Sequence, residues 1–194
     1  MLRRMLMAAP LALAACSLER PYAERRQWPL VARRGRVDPP RPGAPVLLVR
    51  GLRAGPGLEV RGLQSLQADG SIRTEFYEEW AAPPAEAAEE ALRGWLAESG
   101  LFSAVIASGS RVEADLVLEG ELTGLWTIPA TRQAHAALGV TVLVQNPAAV
   151  RVRLQQRFTA EAPMAGTSAR EAVEAQSAAL ALVLAQVEAA LRRP

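Results

Sequence analysis

The stretch Leu138-Gly139-Val140-Thr141-Val142-Leu143-Val144-Gln145-Asn146-Pro147-Ala148-Ala149-Val150-Arg151-Val152-Arg153-Leu154-Gln155-Gln156-Arg157-Phe158 alternates apolar and polar residues on both sides of an Asn-Pro turn. Leu138, Val140, Val142 and Val144 fall on even positions, and so do Val150, Val152, Leu154 and Phe158. A two-residue period puts one set of side chains on one face of a sheet, so these residues predict two antiparallel strands with one face buried and the other wet. Leu116, Leu118 and Leu122 predict a third strand of the same kind. Its opposite face carries Asp115, Glu119 and Glu121, while the last strand carries Arg151, Arg153 and Arg157, which would allow charge pairing across the sheet.

Working outward, Ser168 and Glu171 form a capping box, and Val173, Leu180, Leu184, Val187 and Leu191 make the apolar stripe of a helix running to about Leu191. Upstream, Pro83-Pro84 opens another helix, because proline is tolerated in a first turn where its missing amide has no helical partner. Ala88, Ala91, Leu92, Trp95 and Leu96 recur at helical spacing, and Gly100 ends it. Val46–Val49, Leu58–Leu66 and Ile72–Tyr77 read as strands, the last two joined at Asp69-Gly70. The predicted class is α+β: a mainly antiparallel sheet with two helices packed on one face, after a disordered N-terminal tether. The expected division is a signal peptide over residues 1–15, a Pro/Arg-rich tether over 16–45 and a single domain over 46–194.

At the N-terminus, Arg3 and Arg4 precede an uncharged run that closes on Leu13-Ala14-Ala15-Cys16. Positive residues, a short apolar core and small residues before a cleavage point make a secretory signal. The run is about half of the ~20 residues a bilayer span needs. Leu13-Ala14-Ala15-Cys16 resembles the bacterial lipobox, which implies that Cys16 is acylated and becomes the first residue of the mature chain. A plain secreted protein with a leftover thiol, or a start codon placed too early, are the alternatives. Cys16 is the single cysteine, so no disulfide competes for it. Burial worth ~0.8 kcal/mol per methylene over three acyl chains makes release negligible. Ser17 stands where an Asp would resemble an inner-membrane retention signal, so the outer membrane is expected.

From Ser17 to Pro45 there are six Pro and seven Arg with little apolar periodicity. As a flexible coil such a segment spans roughly 30 Å, and as polyproline about 90 Å. Its Arg could meet anionic headgroups or an acidic partner, but a solvated linker is the preferred reading. Removing residues 1–15 takes away two Arg and no acid, leaving 20 Arg against 20 Asp plus Glu and a formal charge of zero. That balance points to no nucleic-acid partner.

Little in the chain suggests chemistry. There is no Lys, which excludes a P-loop lysine, a Ser-Lys dyad and a Schiff base. The one imidazole, His135, falls between predicted strands and no G-x-S-x-G elbow surrounds any serine. Neither Glu78-Glu79 nor Glu119/Glu121 makes a convincing pair of catalytic acids. One Cys and one His cannot build a zinc site. No catalytic residue, cofactor or metal is expected, and the chain is read as a binding or assembly component rather than an enzyme.

Phe76-Tyr77-Glu78-Glu79-Trp80-Ala81-Ala82-Pro83-Pro84, followed by Leu92, Leu96 and Ser99-Gly100-Leu101-Phe102, resembles the auxiliary lipoprotein family of ABC-type transport systems. That family has a tyrosine-bearing strand, a Trp-Ala-x-Pro-Pro bend and a helix ending in a Ser-Gly-x-Phe-like turn. Trp80, Pro83 and Pro84 match the bend, and Trp80 is expected to pack it onto the sheet. The family's Tyr-x-Leu stretch near the lipidated cysteine has only Trp28-Pro29-Leu30 as its counterpart, which leaves the docking of that segment open. The resemblance implies an outer-membrane lipoprotein of a paraquat-inducible or related MCE (mammalian cell entry) lipid transport system. Its implied partners are an MCE-domain protein and the ATPase and permease of an ABC transporter, with room for a homo-oligomer. A lipopolysaccharide-assembly or other envelope-assembly lipoprotein is the alternative.

Overall fold

The computed structural model describes residues 23–145 and 149–193. The signal segment, Cys16 and the Asn146-Pro147 turn lie outside the described residues. Ten elements follow in chain order: β1 (Arg26–Trp28), β2 (Val46–Ala54), β3 (Gly62–Leu66), β4 (Ile72–Trp80), α1 (Pro84–Ala97), β5 (Ala104–Ala107), β6 (Leu116–Ile128), β7 (Gln133–Val144), β8 (Arg151–Pro163) and α2 (Ala169–Leu191).

All eight strands join one sheet, and the chain is α+β as predicted. The sheet is mixed. β6, β7 and β8 form a long antiparallel meander and β3 pairs antiparallel with β4, whereas β1–β4, β2–β5, β2–β6 and β3–β6 are parallel. α1 lies over β2, β5 and β6, α2 lies over β6, β7 and β8, and the helices touch, so both cover the same face. Leu47, Val49, Leu118, Leu122, Leu138 and Val142 meet Leu92, Leu96, Leu180, Val183 and Leu184 in the core beneath them. By length and hydropathy α2 could cross a membrane, but here it is the core helix, with Ala179, Leu180, Val183, Leu184 and Val187 fully buried.

Both helices start where their caps predict. Pro83 is the N-cap of α1 with Pro84 as its first residue, and Ser168 and Glu171 make the reciprocal capping box of α2. Gly100 takes φ +69°, and a Cβ there would meet the Pro39 carbonyl oxygen at 2.6 Å, so glycine is required both for the turn and for the chain that crosses it.

Bulges account for the differences between predicted and observed strands. In β6 the register shifts between Leu122 and Gly124, and the buried positions change from even to odd, at Leu125 and Thr127. A strict two-residue period therefore stops at Leu122 while the strand runs on to Ile128. His135, expected between strands, pairs with Trp126 inside β7. In β8 the register shifts so that Leu154 faces Val142 but Val152 faces Leu143. Val152 is turned to the open face and is 61% exposed, contrary to its predicted burial. Its exposed neighbour Arg153 reaches over the helix side of the sheet instead, donating to the carbonyls of Leu191 and Arg193 at the end of α2.

The expectation that the tether runs to Pro45 is corrected from residue 26 onward. β1 pairs in parallel with β4, Trp28 opposite Trp80, and beyond it Leu30 and Ala32 are buried in the core. Trp28, Leu30, Ala32 and Arg34 form an alternating inward row, but the row ends on an arginine, which disguises the period in the sequence. The Arg34 side chain is buried, and all five of its N–H groups are used. Nε and Nη2 grip Glu188 at 2.9 and 3.0 Å, Nη2 reaches Asp38 at 2.6 Å, and Nη1 reaches the carbonyls of Arg36 and Glu98. Glu188 also accepts from Trp95 Nε1 at 2.7 Å and from Arg192. This clasp ties the N-terminal segment to the ends of both helices.

Candidate functional site

The bend that carries the family resemblance is held from both sides. Trp80 is buried, its amide donates to the Arg61 carbonyl at 2.7 Å, and the Ala81 amide donates to the Trp28 carbonyl at 2.8 Å. Arg61 returns two hydrogen bonds, to the carbonyls of Trp80 and Ala81. The polar groups of a buried turn must find partners, and β1 and Arg61 supply them here. Trp80, Pro83 and Pro84 thus come together as a structural joint, with the Trp80 side chain in the buried core. Trp28-Pro29-Leu30 docks as strand β1 and its continuation.

Glu78 and Glu79 fasten β1. Glu78 accepts from Arg26 and from Trp28 Nε1 (2.7 Å), while Glu79 accepts from Gln27 Nε2 (2.9 Å) and pairs with Arg61. On the open face of the sheet, Glu119 pairs with Arg50 at 3.2 Å and Glu121 with Arg53 at 3.3 Å. Their partners come from β2, not from the arginines of β8. A polar groove of about 580 Å³ runs there, lined by Arg50, Arg53, Ser108, Glu119 and Thr141.

His135 stacks on Trp126 with ring centroids 4.9 Å apart, and its Nδ1 lies 3.7 Å from Glu161. Gly124 makes room for this stack, since a Cβ would come within 3.0 Å of both rings. Burial lowers the His135 pKa, Glu161 opposes that and Arg157 adds to it, so the ring is held neutral near pH 7. No serine, threonine or tyrosine hydroxyl hydrogen-bonds His135 among the described residues. No group of three or more His, Cys, Asp or Glu suited to a metal occurs among them either.

Two further features were missed in the sequence. Between Gly62, which pairs with Glu79, and Gln64, which pairs with Thr74, a single β3 residue faces four residues of β4, Glu75 to Glu78. This wide bulge carries Phe76 and Tyr77 out of the sheet, 65% and 48% exposed, with their rings edge to face at 5.0 Å. The Arg25 guanidinium lies over the Phe76 ring at 4.4 Å. Gly62 is needed opposite the bulge, because a Cβ would sit 2.5 Å from the Glu75 carbonyl oxygen. Nothing in the sequence marks the bulge except that glycine and two adjacent aromatic residues in a strand.

The second feature is a cavity of about 530 Å³ between β3, the end of β6 and the start of α2, with Leu63, Thr127, Met164 and Ala172 in its wall. Gln176 reaches it from α2, is completely buried, and neither amide atom has a hydrogen-bond partner. The signal was present, since Gln176 occupies a position three residues after Val173 and four before Leu180 on the apolar stripe.

The family model described as ABC-type transport auxiliary lipoprotein component matches residues 30–188. The match begins before the predicted boundary at residue 46 and takes in both Arg34 and Glu188. No curated protein matches the chain. Among solved structures the chain is similar to protein XCC0632 from Xanthomonas campestris, with a TM-score of 0.67 and 21% identity over 79% of this chain and 88% of that one. It is also similar to an uncharacterized protein, with a TM-score of 0.61 and 15% identity over 86% and 96% of the two chains. Hypothetical protein CT253 from Chlamydia trachomatis aligns with a TM-score of 0.52 and 10% identity over 78% of this chain and all of that one. At these identities the likeness is one of fold alone.

Proposed function

This chain belongs to the family of ABC-type transport auxiliary lipoprotein components, and from that premise we propose that it docks the periplasmic end of an MCE-type lipid transport assembly at the outer membrane, held there through acylated Cys16. The observation that carries the proposal is the coincidence of the lipobox with a family match that spans the folded domain. The partners are an MCE-domain protein and, through it, the ATPase and permease of the transporter.

The role is docking and not chemistry. Glu78 and Glu79 are committed to holding β1, Glu119 and Glu121 are paired with arginines, and His135 is stacked on Trp126 beside Glu161. The groove of the open sheet face is polar and charged, which suits a protein surface better than an acyl chain. Tagged, acylated protein purified from cells that also express an MCE-type transporter should bring down its MCE-domain protein and band with outer membrane on a density gradient. Recovery of the chain alone, or with a β-barrel assembly instead, would overturn the proposal.

A further inference from the structure

We infer that the bulge of β4 is a membrane seat: Phe76 and Tyr77, with Arg25 laid over Phe76, rest in the interface of the bilayer to which Cys16 is anchored. The inference rests on the acylation of Cys16 and deepens the reading above.

Covalent reach comes first. Arg25 is stacked on Phe76 and the next residue, Arg26, is fixed in β1 opposite Glu78, so the fold begins nine residues after Cys16. Fully extended, nine residues span at most about 30 Å. The bulge therefore sits at the point where the chain leaves the domain for its anchor. A tether ending at Pro45 would have imposed no such proximity.

The chemistry of the patch suits the same surface. Phe76 and Tyr77 are the only aromatic side chains more than a third exposed among the described residues, and the other exposed large apolar residues are aliphatic. The wide bulge is what brings the two rings out together, and bulges commonly re-aim side chains for a purpose beyond the ladder. Tyrosine favours the headgroup level of a bilayer, and an arginine over an aromatic ring can hold its charge at the phosphates while the ring lies deeper. The two carboxylates within the bulge are paired, Glu75 with Arg73 and Glu78 with Arg26, so the bulge itself does not turn unpaired negative charge toward anionic lipid.

Because Cys16 is the only cysteine and is acylated, a second cysteine can be labelled uniquely. Full-length acylated F76C, Y77C and V152C proteins, each carrying an environment-sensitive fluorophore, would be reconstituted into phosphatidylethanolamine–phosphatidylglycerol vesicles. With a lipid-borne nitroxide quencher, labels at 76 and 77 should be quenched at least threefold more than the label at 152, which lies on the distant edge strand and is about as exposed as Phe76 and more exposed than Tyr77. Equal quenching at all three positions overturns the seat. Protection of 76 and 77 that appears only when an MCE-domain protein is added also overturns it, and makes the bulge a protein contact. Failure of the protein to float with vesicles at all would instead strike at the acylation of Cys16.

Discussion

Two polar residues interrupt the apolar stripe of α2, and they are treated in opposite ways. Glu188, near the C-terminal end, is met by Arg34, Arg192 and Trp95. Gln176, twelve residues earlier, is more deeply buried and has no partner. A buried charge is tolerable only when it is paired and fully hydrogen-bonded, and Arg34 of the N-terminal segment helps to meet that condition. A buried amide without partners costs stability and contributes none. Burial alone therefore does not say whether a polar side chain strengthens a fold; its partners do.

The sharpest way to break the contrast is Glu188→Ala. It takes two acceptors from Arg34, which keeps Asp38, removes one partner of Arg192 and leaves the buried Trp95 N–H without an acceptor, and should cost about 2–4 kcal/mol in chemical denaturation. A loss under 1 kcal/mol would mean that the clasp holds nothing.

Acid should act in the same place more gently. Burial alone would raise the Glu188 pKa, but hydrogen bonds from Arg34, Arg192 and Trp95 outweigh it and hold the carboxyl below its ordinary value; Asp38 is lowered chiefly by Arg34. Carboxyls with depressed folded-state pKa values contribute stability that is complete above their unfolded values and fades as pH falls through the folded ones. The clasp should thus be intact from pH 5 to 8 and weaken below about pH 4. Hydrogen exchange along residues 26–41 should rise there first, and Glu188→Gln should flatten much of that dependence.

Gln176→Leu reverses the sign. It removes an unpartnered amide at similar volume and should stabilise the domain by about 1 kcal/mol, read as a raised denaturation midpoint. A loss instead would show that the amide is satisfied in solution. The smallest effect belongs to Ser168→Ala, which removes the cap at the Gln176 end of α2 and should cost about 0.5–1 kcal/mol, with fraying confined to the first turn by hydrogen exchange.

Both helices, the bend at Trp80-Pro83-Pro84 and the fold class were legible because they rest on local chemistry: caps, prolines in a first turn, and short-range periodicity. The lost features depend on pairing between distant segments. Strand β5 and the parallel pairing of β2 with its neighbours leave no local trace, and the bulges move the inward positions from one parity to the other, as at Val152 and Leu125. Arg34 misled for another reason. An arginine at an inward position reads as a solvent-facing residue until the carboxylate that answers it, 154 positions later, is brought alongside. Among the candidate site residues, Trp80, Pro83 and Pro84 could be read from their motif, whereas the outward turn of Phe76 and Tyr77 follows from a ladder that no single strand encodes.

β1 also has a mechanical meaning. If a transport machine tugs on the domain while its anchor stays put, the load enters at Arg25 and meets two fasteners in series: the short ladder of β1 with β4, then the grip of Arg34. Leu30 and Ala32 lie in the core between those two fasteners, and only when all of them have given way does tension reach β2 and the sheet beyond, so the order of residues along the chain spares the strands and helices under the first of that load.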